Sequence, residues 1–389
     1  MKTLMAYVKK ARWFMAKDRK LAKLTIRKNI PINSQCSLQF LDVSYSDGSE
    51  DLYTYPLGTL AFATFMVSPW LTPRKKPREI TGGSNSAFLF PGECFLKLYR
   101  RLQSGTHPEN EMGIFLRKKK FPYIAAVLGS WKYKDAQGEY TIATVQQALR
   151  PGLNAWDLLG EKPNAKKAAL LGKRLAQMHL TLGKGREAAF VPEPFTSLYR
   201  KQQNQNCLNL ANHVQKQLQH ALPRLSKKNQ QLAQQVLSTL PLLPQKIRRL
   251  RASTDTGMRT RIHGDLHLGQ IQWNSPEFFF MDFEGEPTRS LAFRREKHSP
   301  LRDVAGILRS FAYADAHFKG RRPDLATPFL EAYWQEMGNS LLLPAKEKSR
   351  KALLSSYILE KALYEISYEL GSRPAWLHVP ILGLLNYEN

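Results

Sequence analysis

RIHGDLHLGQIQWNSPEFFFMDFEGE, residues 261–286, is the stretch of this chain that decides the fold. Two short apolar runs, Ile271–Trp273 and Phe278–Met281, are separated by Asn, Ser and Pro, which predicts a β-hairpin. Asp265 then lies in the loop that enters the hairpin, and Asp282 lies at its exit. A hairpin can bring its two ends together, so we expect both acids at one end of it.

The acids of this stretch are close together in a chain that is otherwise strongly basic. Asp265, Asp282, Glu284 and Glu286 fall within 22 residues. Such clustering is electrostatically costly unless a cation neutralises it, and Mg²⁺ prefers carboxylate and amide oxygens. The stretch therefore predicts a divalent-cation site.

The spacing has a mechanistic interpretation in phosphoryl transfer. A loop Asp (Asp265) orients the substrate hydroxyl, an amide five residues later (Gln270) helps to hold Mg²⁺, and a second Asp after a hairpin (Asp282) binds the metal on the ATP phosphates. Protein kinases carry H-R-D-x-x-x-x-N here, and this chain carries H-G-D-L-H-L-G-Q. The alternative is a surface hairpin with scattered acids, but the amide, the hairpin and D-F-E together argue against it.

Length and composition set outer limits. A chain of 389 residues can hold two or three domains with sizeable cores. The cysteines, Cys36, Cys94 and Cys207, are odd in number and far apart, so they predict neither a disulfide framework nor a zinc site. The N-terminus lacks the apolar core of a signal peptide, and no apolar run approaches membrane-spanning length. We therefore expect a cytoplasmic protein that does not enter a membrane.

The net charge of +26 comes from 58 basic and 32 acidic residues. A surface of this kind could bind nucleic acid, anionic lipid or phosphorylated ligands. The basic residues are spread along the chain, and no RNP-like, zinc-finger or helix-turn-helix signature accompanies them. Solvated basic faces are favoured over a specific nucleic-acid site.

The first 149 residues predict two strand-containing segments. Residues 1–78 combine a helical start with strand-like runs and end in Pro-Arg-Lys-Lys-Pro at 73–77, a plausible boundary. In the strand-rich residues 79–149, the Gly/Ser loop at 82–86 can offer N–H groups and hydroxyls to phosphates. An ordinary hairpin is the default interpretation of that loop. G-x-x-x-x-G-K-[ST] is missing, which argues against a P-loop enzyme.

Lys97 lies inside an apolar strand, where a lysine needs a partner or a ligand. Glu111, in the helix-like stretch that follows, is the candidate partner. A glycine-rich loop, a strand lysine and a helix glutamate reproduce the layout of a kinase. The strand Tyr140–Leu149 is then expected to lead into the hinge, where the backbone around Gln146–Ala148 would meet adenine.

Downstream residues predict supporting roles. We interpret His179 as a packed structural residue, and Asp303 or Ser299 could cap the next helix or tie the HGD loop (residues 263–270) in place. The amphipathic stretch Lys351–Leu370 carries several groups able to hydrogen-bond a sugar. A solvated helix face with i,i+4 ion pairs explains them equally well.

Three long motifs resemble those of bacterial maltokinases: HGDLHLGQ, MDFEGEPTRSLAFRREKHSPLRDVAGILRSFAYA and LEKALYEISYELGSRPAWLHVPILGL. RWFMAKDRK and LKLYRRLQSGTHPENEMGIFL resemble the cap motif and the lysine strand of that family. The resemblance implies an α+β, bilobal, protein-kinase-like fold of the aminoglycoside-phosphotransferase type. It implies an N-terminal α+β cap (1–78), a β-rich N-lobe (79–149) and a mostly helical C-lobe (150–389).

The resemblance also implies a reaction, the in-line transfer of the ATP γ-phosphate to the anomeric hydroxyl of maltose to give maltose 1-phosphate. Asp265 would be the catalytic residue, and ATP and Mg²⁺ the cofactors. The implied Mg²⁺ ligands are Gln270, Asp282 and Glu284. The implied nucleotide-binding residues are Lys97, Glu111, Ser84, Asn85, Ser86, Gln146 and Ala148. On the substrate side it implies His263 of the HGD loop, Arg302, Lys361, Tyr364 and Glu365.

The implied partners are maltose or a related sugar, and a trehalose synthase or another α-glucan enzyme. Two alternatives stay open. One is a glucosamine kinase or another small-molecule kinase on the same scaffold. The other is a catalytically idle, basic module that docks a partner, although the retention of Lys97, Asp265, Gln270 and Asp282 argues against it.

Overall fold

The computed structural model describes residues 2–14, 16, 17, 19–80, 83–286, 289–318 and 323–385. Three sequence motifs fall partly outside the described residues, and one of them, the motif that begins MDFEGE, includes Pro287 and Thr288. RWFMAKDRK includes Met15 and Asp18, and the Gly/Ser loop includes Gly82. Within the described residues no helix is long and apolar enough to cross a membrane.

The strands are short apart from those of two long hairpins. Their bounds are β1 Leu21–Pro31, β2 Ser37–Tyr45, β3 Glu50–Leu57, β4 Arg78–Ile80, β5 Ser86–Phe90, β6 Cys94–Leu98, β7 Arg101–Leu102, β8 Val127–Asp135, β9 Gly138–Gln147, β10 Leu153–Asn154, β11 Glu193–Pro194, β12 Met258–Arg259, β13 Ile271–Asn274 and β14 Glu277–Phe280.

Helices dominate the second half of the chain. Their bounds are α1 Lys2–Lys10, α2 Thr59–Val67, α3 Pro108–Lys118, α4 Ala155–Glu161, α5 Ala165–Leu182, α6 Ser197–Ala221, α7 Lys227–Thr239, α8 Leu243–Leu250, α9 Leu291–Arg294, α10 Leu301–His317, α11 Ala326–Met337, α12 Glu347–Ser372 and α13 His378–Leu385. Single 3₁₀ turns cover Leu222–Arg224, Leu268–Gln270 and Pro374–Trp376.

The chain divides into two compact units. The strand-rich unit consists of Met1–Gly152 and Met281–Arg294, and the helical unit consists of Leu153–Phe280 and Arg295–Asn389. The predicted α+β fold class is confirmed, with strands and helices largely segregated along the chain. The segment Met281–Arg294, which sequence analysis assigned to the C-lobe, belongs to the strand-rich unit.

The strand-rich unit contains two antiparallel sheets, with strand orders β1-β2-β3-β7 and β4-β5-β6-β9-β8. Buried and partly buried positions largely alternate along β2, β5 and β6, as expected for strands with one face in the core. Phe40 and Phe62 share one hydrophobic core with Phe88 and Tyr140. The boundary that sequence analysis placed near residue 78 therefore falls inside a shared core.

The helical unit is organised around α12, which packs against α6, α8, α10 and α13. Its apolar side joins a core with Leu218, Val236, Ile247 and Ile381. Side-chain caps start the neighbouring helices: Thr196 accepts a hydrogen bond from an N–H of the first turn of α6, and Ser226 does so for α7. This frame leaves α10 and α12 beside the HGD loop.

The three cysteines are buried and none is in a disulfide, as the sequence predicted.

Candidate functional site

The predicted hairpin is confirmed, with β13 and β14 paired antiparallel and Ile271 opposite Phe280. The HGD loop precedes it in the helical unit. Asn154 holds the end of this loop, because its side-chain amide donates to the Gly269 carbonyl at 3.1 Å while its oxygen caps α4. Asp265 and Asp282 belong to different units, so their proximity stays a prediction.

Asp303, at the start of α10, holds the backbone of the HGD loop by hydrogen bonds. Its buried carboxylate accepts hydrogen bonds from the backbone N–H groups of His263 at 2.8 Å and Gly264 at 3.0 Å. His179 Nε2 lies 3.1 Å from the same carboxylate, and its other ring nitrogen lies 2.9 Å from the Tyr333 hydroxyl. Both sequence interpretations are confirmed: Asp303 ties the loop, and His179 is a buried structural residue.

The electrostatics of Asp303 agree with this role. Burial alone raises the pKa of its carboxyl, but the hydrogen bond and charge interaction with His179 and the N–H of Gly264 outweigh burial. The pKa of Asp303 therefore lies below its ordinary value, and the carboxylate stays ionised. Gly264 itself has a φ of +86°, a left-handed conformation that favours glycine. This backbone conformation explains why a glycine stands at the middle position of H-G-D.

Asp265 follows this fixed backbone with its side chain partly exposed. Lys361 of α12 places Nζ at 3.4 Å from Asp265 Oδ1, and the same ammonium lies 4.8 Å from the centre of the Tyr364 ring. The structure thus brings three of the predicted residues together: Asp265, Lys361 and Tyr364.

Three other residues assigned to the sugar lie in different surroundings. Glu365 is buried and accepts from Arg309 Nε at 2.8 Å, so its assignment is corrected from a substrate group to a core ion pair. Arg302, in the first turn of α10, places Nη1 at 3.2 Å from Oε1 of Glu360 on α12. His263 is 2% exposed, which supports its loop role and not a substrate contact.

In the strand-rich unit, Lys97 of β6 is the centre of an acidic group, here called the Lys97 cluster (Lys97, Glu109, Asp282 and Glu284). Its Nζ lies 2.5 Å from Asp282 Oδ1 and 3.0 Å from Glu109 Oε2, and it also pairs with Glu284. Burial lowers the pKa of Lys97, but the three carboxylates raise it more, so the pKa lies well above its ordinary value.

The pKa of Glu284 in the same cluster is raised as well. Burial and the neighbouring acids raise the pKa of Glu284 to about 7, and Lys97 counteracts only part of this rise. A buried carboxyl whose pKa is shifted this far is a candidate functional-site residue.

The helix glutamate that pairs with Lys97 is Glu109, not the predicted Glu111. Helix α3 begins at Pro108, so Glu109 lies in its first turn and is 2% exposed. Tyr99 and Gln146 also donate to the Glu109 carboxylate, at 2.8 and 3.2 Å. Two residues further along the helix corresponds to a rotation of about 200°, which turns Glu111 to another face. Proline at the first helical position was the sequence signal that could have placed Glu109 correctly.

The nucleotide-side residues are only partly available to a ligand. Ser86 is buried and accepts from Arg100 Nε at 2.8 Å, so we correct its assignment from phosphate contact to core. Asn85 donates to Glu284 at 2.7 Å, which connects the Gly/Ser loop to the Lys97 cluster. Ser84 and Asn85 line a small pocket together with Glu284.

The predicted adenine segment uses its amides within the protein. The Gln147 N–H donates to the Ala126 carbonyl at 2.8 Å, and the Ala148 N–H donates to the Glu93 carbonyl at 3.2 Å. Adenine recognition through the Ala148 N–H would require displacement of this bond. Gln146 acts instead through its side chain, on Glu109.

The Lys97 cluster fits a divalent cation. Oxygen atoms of Glu109, Asp282 and Glu284 lie within 4.8 Å of one another, and such hard oxygens suit Mg²⁺. Asp282 has a φ of +65°, a strained conformation for a residue with a side chain and typical of functional sites. Asp282 and Glu284 would hold the ion, whereas Gln270 lies in the other unit and stays a predicted ligand.

Comparison with known proteins gives a match to the phosphotransferase enzyme family over residues 78–285, more than half of the chain. The chain belongs to the phosphotransferase enzyme family. The match begins at β4 and ends at Gly285, so it spans every member of the Lys97 cluster and the whole HGD loop. The resemblance in the sequence is thereby confirmed at the level of this family, without the maltokinase assignment.

Two curated relatives of this chain are glucosamine kinases. That of Streptacidiphilus jiangxiensis is 26% identical over 135 residues, which are 32% of this chain and 30% of the relative. That of Mycolicibacterium smegmatis is 28% identical over 134 residues, 31% of this chain and 33% of the relative. The matched segments thus span about a third of each relative.

Solved structures share the fold over nearly the whole chain. A glucosamine kinase in complex with glucosamine, ADP and inorganic phosphate has a TM-score of 0.66 at 18% identity, covering 98% of both chains. A second crystal form of glucosamine kinase has a TM-score of 0.69 at 17% identity, covering 97% of this chain and 98% of that one. At these identities the likeness establishes the fold alone.

Proposed function

We propose that this protein is an ATP-dependent sugar kinase, with glucosamine as the first acceptor to test. The observation that carries the proposal is the ion-paired set of Lys97, Glu109 and Asp282, because active protein kinases require a strand lysine paired with a helix glutamate, and an aspartate at the metal. The family match and the glucosamine kinases among the relatives support the choice of acceptor.

Each residue has a role in this proposal. Lys97 neutralises charge on the ATP phosphates, and Asp265 accepts a hydrogen bond from the acceptor hydroxyl and orients it. Asp303 and Gly264 hold the loop backbone so that Asp265 keeps one position. Bound Mg²⁺ would supply positive charge to the phosphates. In phosphoryl transfer most of the rate enhancement comes from such positioning and charge stabilisation.

Maltose is the second candidate, and one contact favours it. Lys361 Nζ lies 3.4 Å from Asp265, so the acceptor side carries an ammonium. This pair offers both donors and acceptors, which suits the hydroxyl groups of an uncharged sugar. This candidate keeps the reaction to maltose 1-phosphate and the α-glucan partner that the motif resemblance implies.

The test is ATP consumption with Mg²⁺ over glucosamine, maltose, glucose and kanamycin. We expect Asp265→Asn to abolish turnover, by a factor of 10² or more, because positioned acid–base groups contribute about this much. The matched control is Asp157→Asn, the same change at an exposed carboxylate of α4. Turnover by Asp265→Asn at the wild-type rate would contradict the proposal, and no turnover on any acceptor would favour the idle docking module.

A further inference from the structure

The segment that forms α6, α7 and α8 has an unusual charge composition. Residues 194–254 contain ten lysines and arginines and no aspartate or glutamate, whereas the whole chain has 32 acids in 389 residues. Helix α13, which packs against α7, has no acidic residue either. The positive charge of this segment is therefore balanced neither within the segment nor by α13.

Four of these cations lie where α6 turns into α7. They are exposed and are here called the basic corner: Lys216, Arg224, Lys227 and Lys228. Within the described residues none of the four forms an ion pair. Along the sequence the basic residues look dispersed, but the single 3₁₀ turn between the two helices gathers these four at one end of the hairpin.

The helix dipole argues against a stabilising role for two of these lysines. Lys227 and Lys228 lie in the first turn of α7, which has no acid. The partial positive charge of a helix N-terminus favours acidic side chains and opposes lysines. Ser226 already caps this helix, because its hydroxyl accepts from the Asn229 N–H at 3.4 Å. Four exposed positive charges at one corner instead favour contact with an anionic partner.

The neighbouring side chains suit a phosphate backbone. Gln219, Gln231 and Gln234 are exposed beside the basic corner, and glutamine, lysine and arginine side chains all contact nucleic-acid phosphates. Tyr199 is the sole aromatic residue of α6, α7 and α8, and it is buried. Since single strands bind largely by stacking their bases on aromatic side chains, a duplex fits this surface better.

Other anionic partners fit this surface less well. An amphipathic helix that binds a lipid surface inserts its apolar face, but the apolar faces of α6 and α7 are buried in the core through Leu218 and Val236. No large apolar side chain is exposed between residues 216 and 231. The centre of a protein–protein interface is rich in aromatic residues and poor in lysine, which is the opposite of the basic corner.

We propose that the basic corner binds the phosphate backbone of a nucleic-acid duplex without reading its sequence. The contacts are charge interactions and hydrogen bonds to phosphate oxygens, which DNA and RNA duplexes share. None of the four residues has a role in the phosphoryl transfer described above, so this inference does not depend on the kinase function.

The experiment is fluorescence anisotropy of a labelled DNA duplex of about 20 bp, and of an RNA duplex of equal length, titrated with the full chain between about 0.05 and 0.2 M NaCl. The test variant carries Lys216→Gln, Arg224→Gln, Lys227→Gln and Lys228→Gln. The matched control removes the same charge from another exposed basic run, with Arg74→Gln, Lys75→Gln, Lys76→Gln and Arg78→Gln.

The salt dependence of binding measures how many phosphates are contacted. We expect a wild-type Kd of about 10⁻⁴–10⁻⁶ M and a slope of log K against log[salt] of about −3 to −4, since each contacted phosphate contributes about −0.9. The corner variant should lose most of this slope and bind at least tenfold more weakly at about 0.1 M salt, whereas the control keeps the slope within about one unit. A preference for DNA or for RNA identifies the source of the duplex.

Thermal melting checks that the variants fold. The corner variant should melt no lower than the wild type, because it removes two lysines that the helix dipole opposes. If it does not fold, Lys227→Gln with Lys228→Gln carries the test, with an expected change in slope of about 1.8.

Three results overturn the proposal. The first is a folded corner variant that binds as the wild type does, or no more weakly than the control. The second is wild-type binding to phosphatidylserine vesicles without binding to either duplex. The third is a preference of about a hundredfold or more between duplexes of unrelated sequence, which requires base contacts.

Discussion

Gly264 shows how one residue of the HGD loop depends on its backbone. With φ at +86°, an alanine there is strained, and we expect Gly264→Ala to lower the free energy of unfolding by about 1–2 kcal/mol. Displacement of Asp265 should lower kcat as well. Gly371→Ala is the control, because Gly371 lies in α12 with open space around it. An alanine in a helix is expected to stabilise by about 0.5–1 kcal/mol. Urea unfolding and initial rates measure both variants, and equal effects would contradict the strain argument.

The lowered pKa of a second single residue, Asp303, predicts that the stability of the fold depends on pH. Its folded pKa is lowered, so its contribution to stability is present above the ordinary pKa of about 4 and is lost as pH falls through the lowered folded pKa. We expect Asp303→Asn to destabilise the protein at pH 7, and this destabilisation to shrink at an acidic pH below the lowered pKa of Asp303. Urea unfolding at both pH values tests this. A destabilisation that is the same at both would contradict an ionised Asp303.

At the scale of elements, the start of α3 decides which glutamate serves Lys97. We expect Glu109→Gln to lower kcat/KM for ATP at least tenfold, about 1.4 kcal/mol in transition-state stabilisation, because it removes the acid that orients Lys97. Glu111→Gln is the matched variant one helix face away, and it should stay within twofold of the wild type. Steady-state kinetics at saturating sugar distinguish the two. A larger loss of kcat/KM in Glu111→Gln than in Glu109→Gln would contradict this assignment and favour Glu111 as the partner of Lys97.

The sequence predicted those elements whose signals are local. The β13–β14 hairpin follows from apolar runs around Asn-Ser-Pro, and the role of Asp303 follows from its position at a helix start. Ion pairs between residues far apart in the sequence could not be predicted from local signals. Glu365 looked like a polar face residue, and only the packing of α10 on α12 shows that Arg309 buries it.

Single-residue register was the other limit of prediction. Helical periodicity identified α3 but could not choose between Glu109 and Glu111, since helix boundaries are uncertain by about one or two residues. The Gly/Ser composition around Ser86 suggested a phosphate-binding loop. It gave no sign that Arg100, which follows the second strand of the same hairpin, would donate to the Ser86 hydroxyl.

At the scale of the whole molecule, ligand binding should raise global stability. A nucleotide that binds only the folded chain adds about 2.7 kcal/mol at 100 times its Kd. We therefore expect ADP with Mg²⁺ to raise the melting temperature by several degrees, and chelation of the metal by EDTA to remove most of this rise. Asp282→Asn should show little Mg²⁺-dependent gain. A rise of equal size in EDTA would contradict a carboxylate-held metal, and no rise at all would contradict nucleotide binding.

The strand-rich unit is discontinuous in the chain, since it leaves at Gly152 and resumes at Met281. During synthesis, Lys97 and Glu109 emerge from the ribosome well before Asp282 and Glu284. At roughly 5–20 residues per second, the wait is on the order of ten seconds. Over that interval the nascent strand lysine has one of its three counter-charges, so the unit cannot complete its ion pairs until most of the helical unit has been translated.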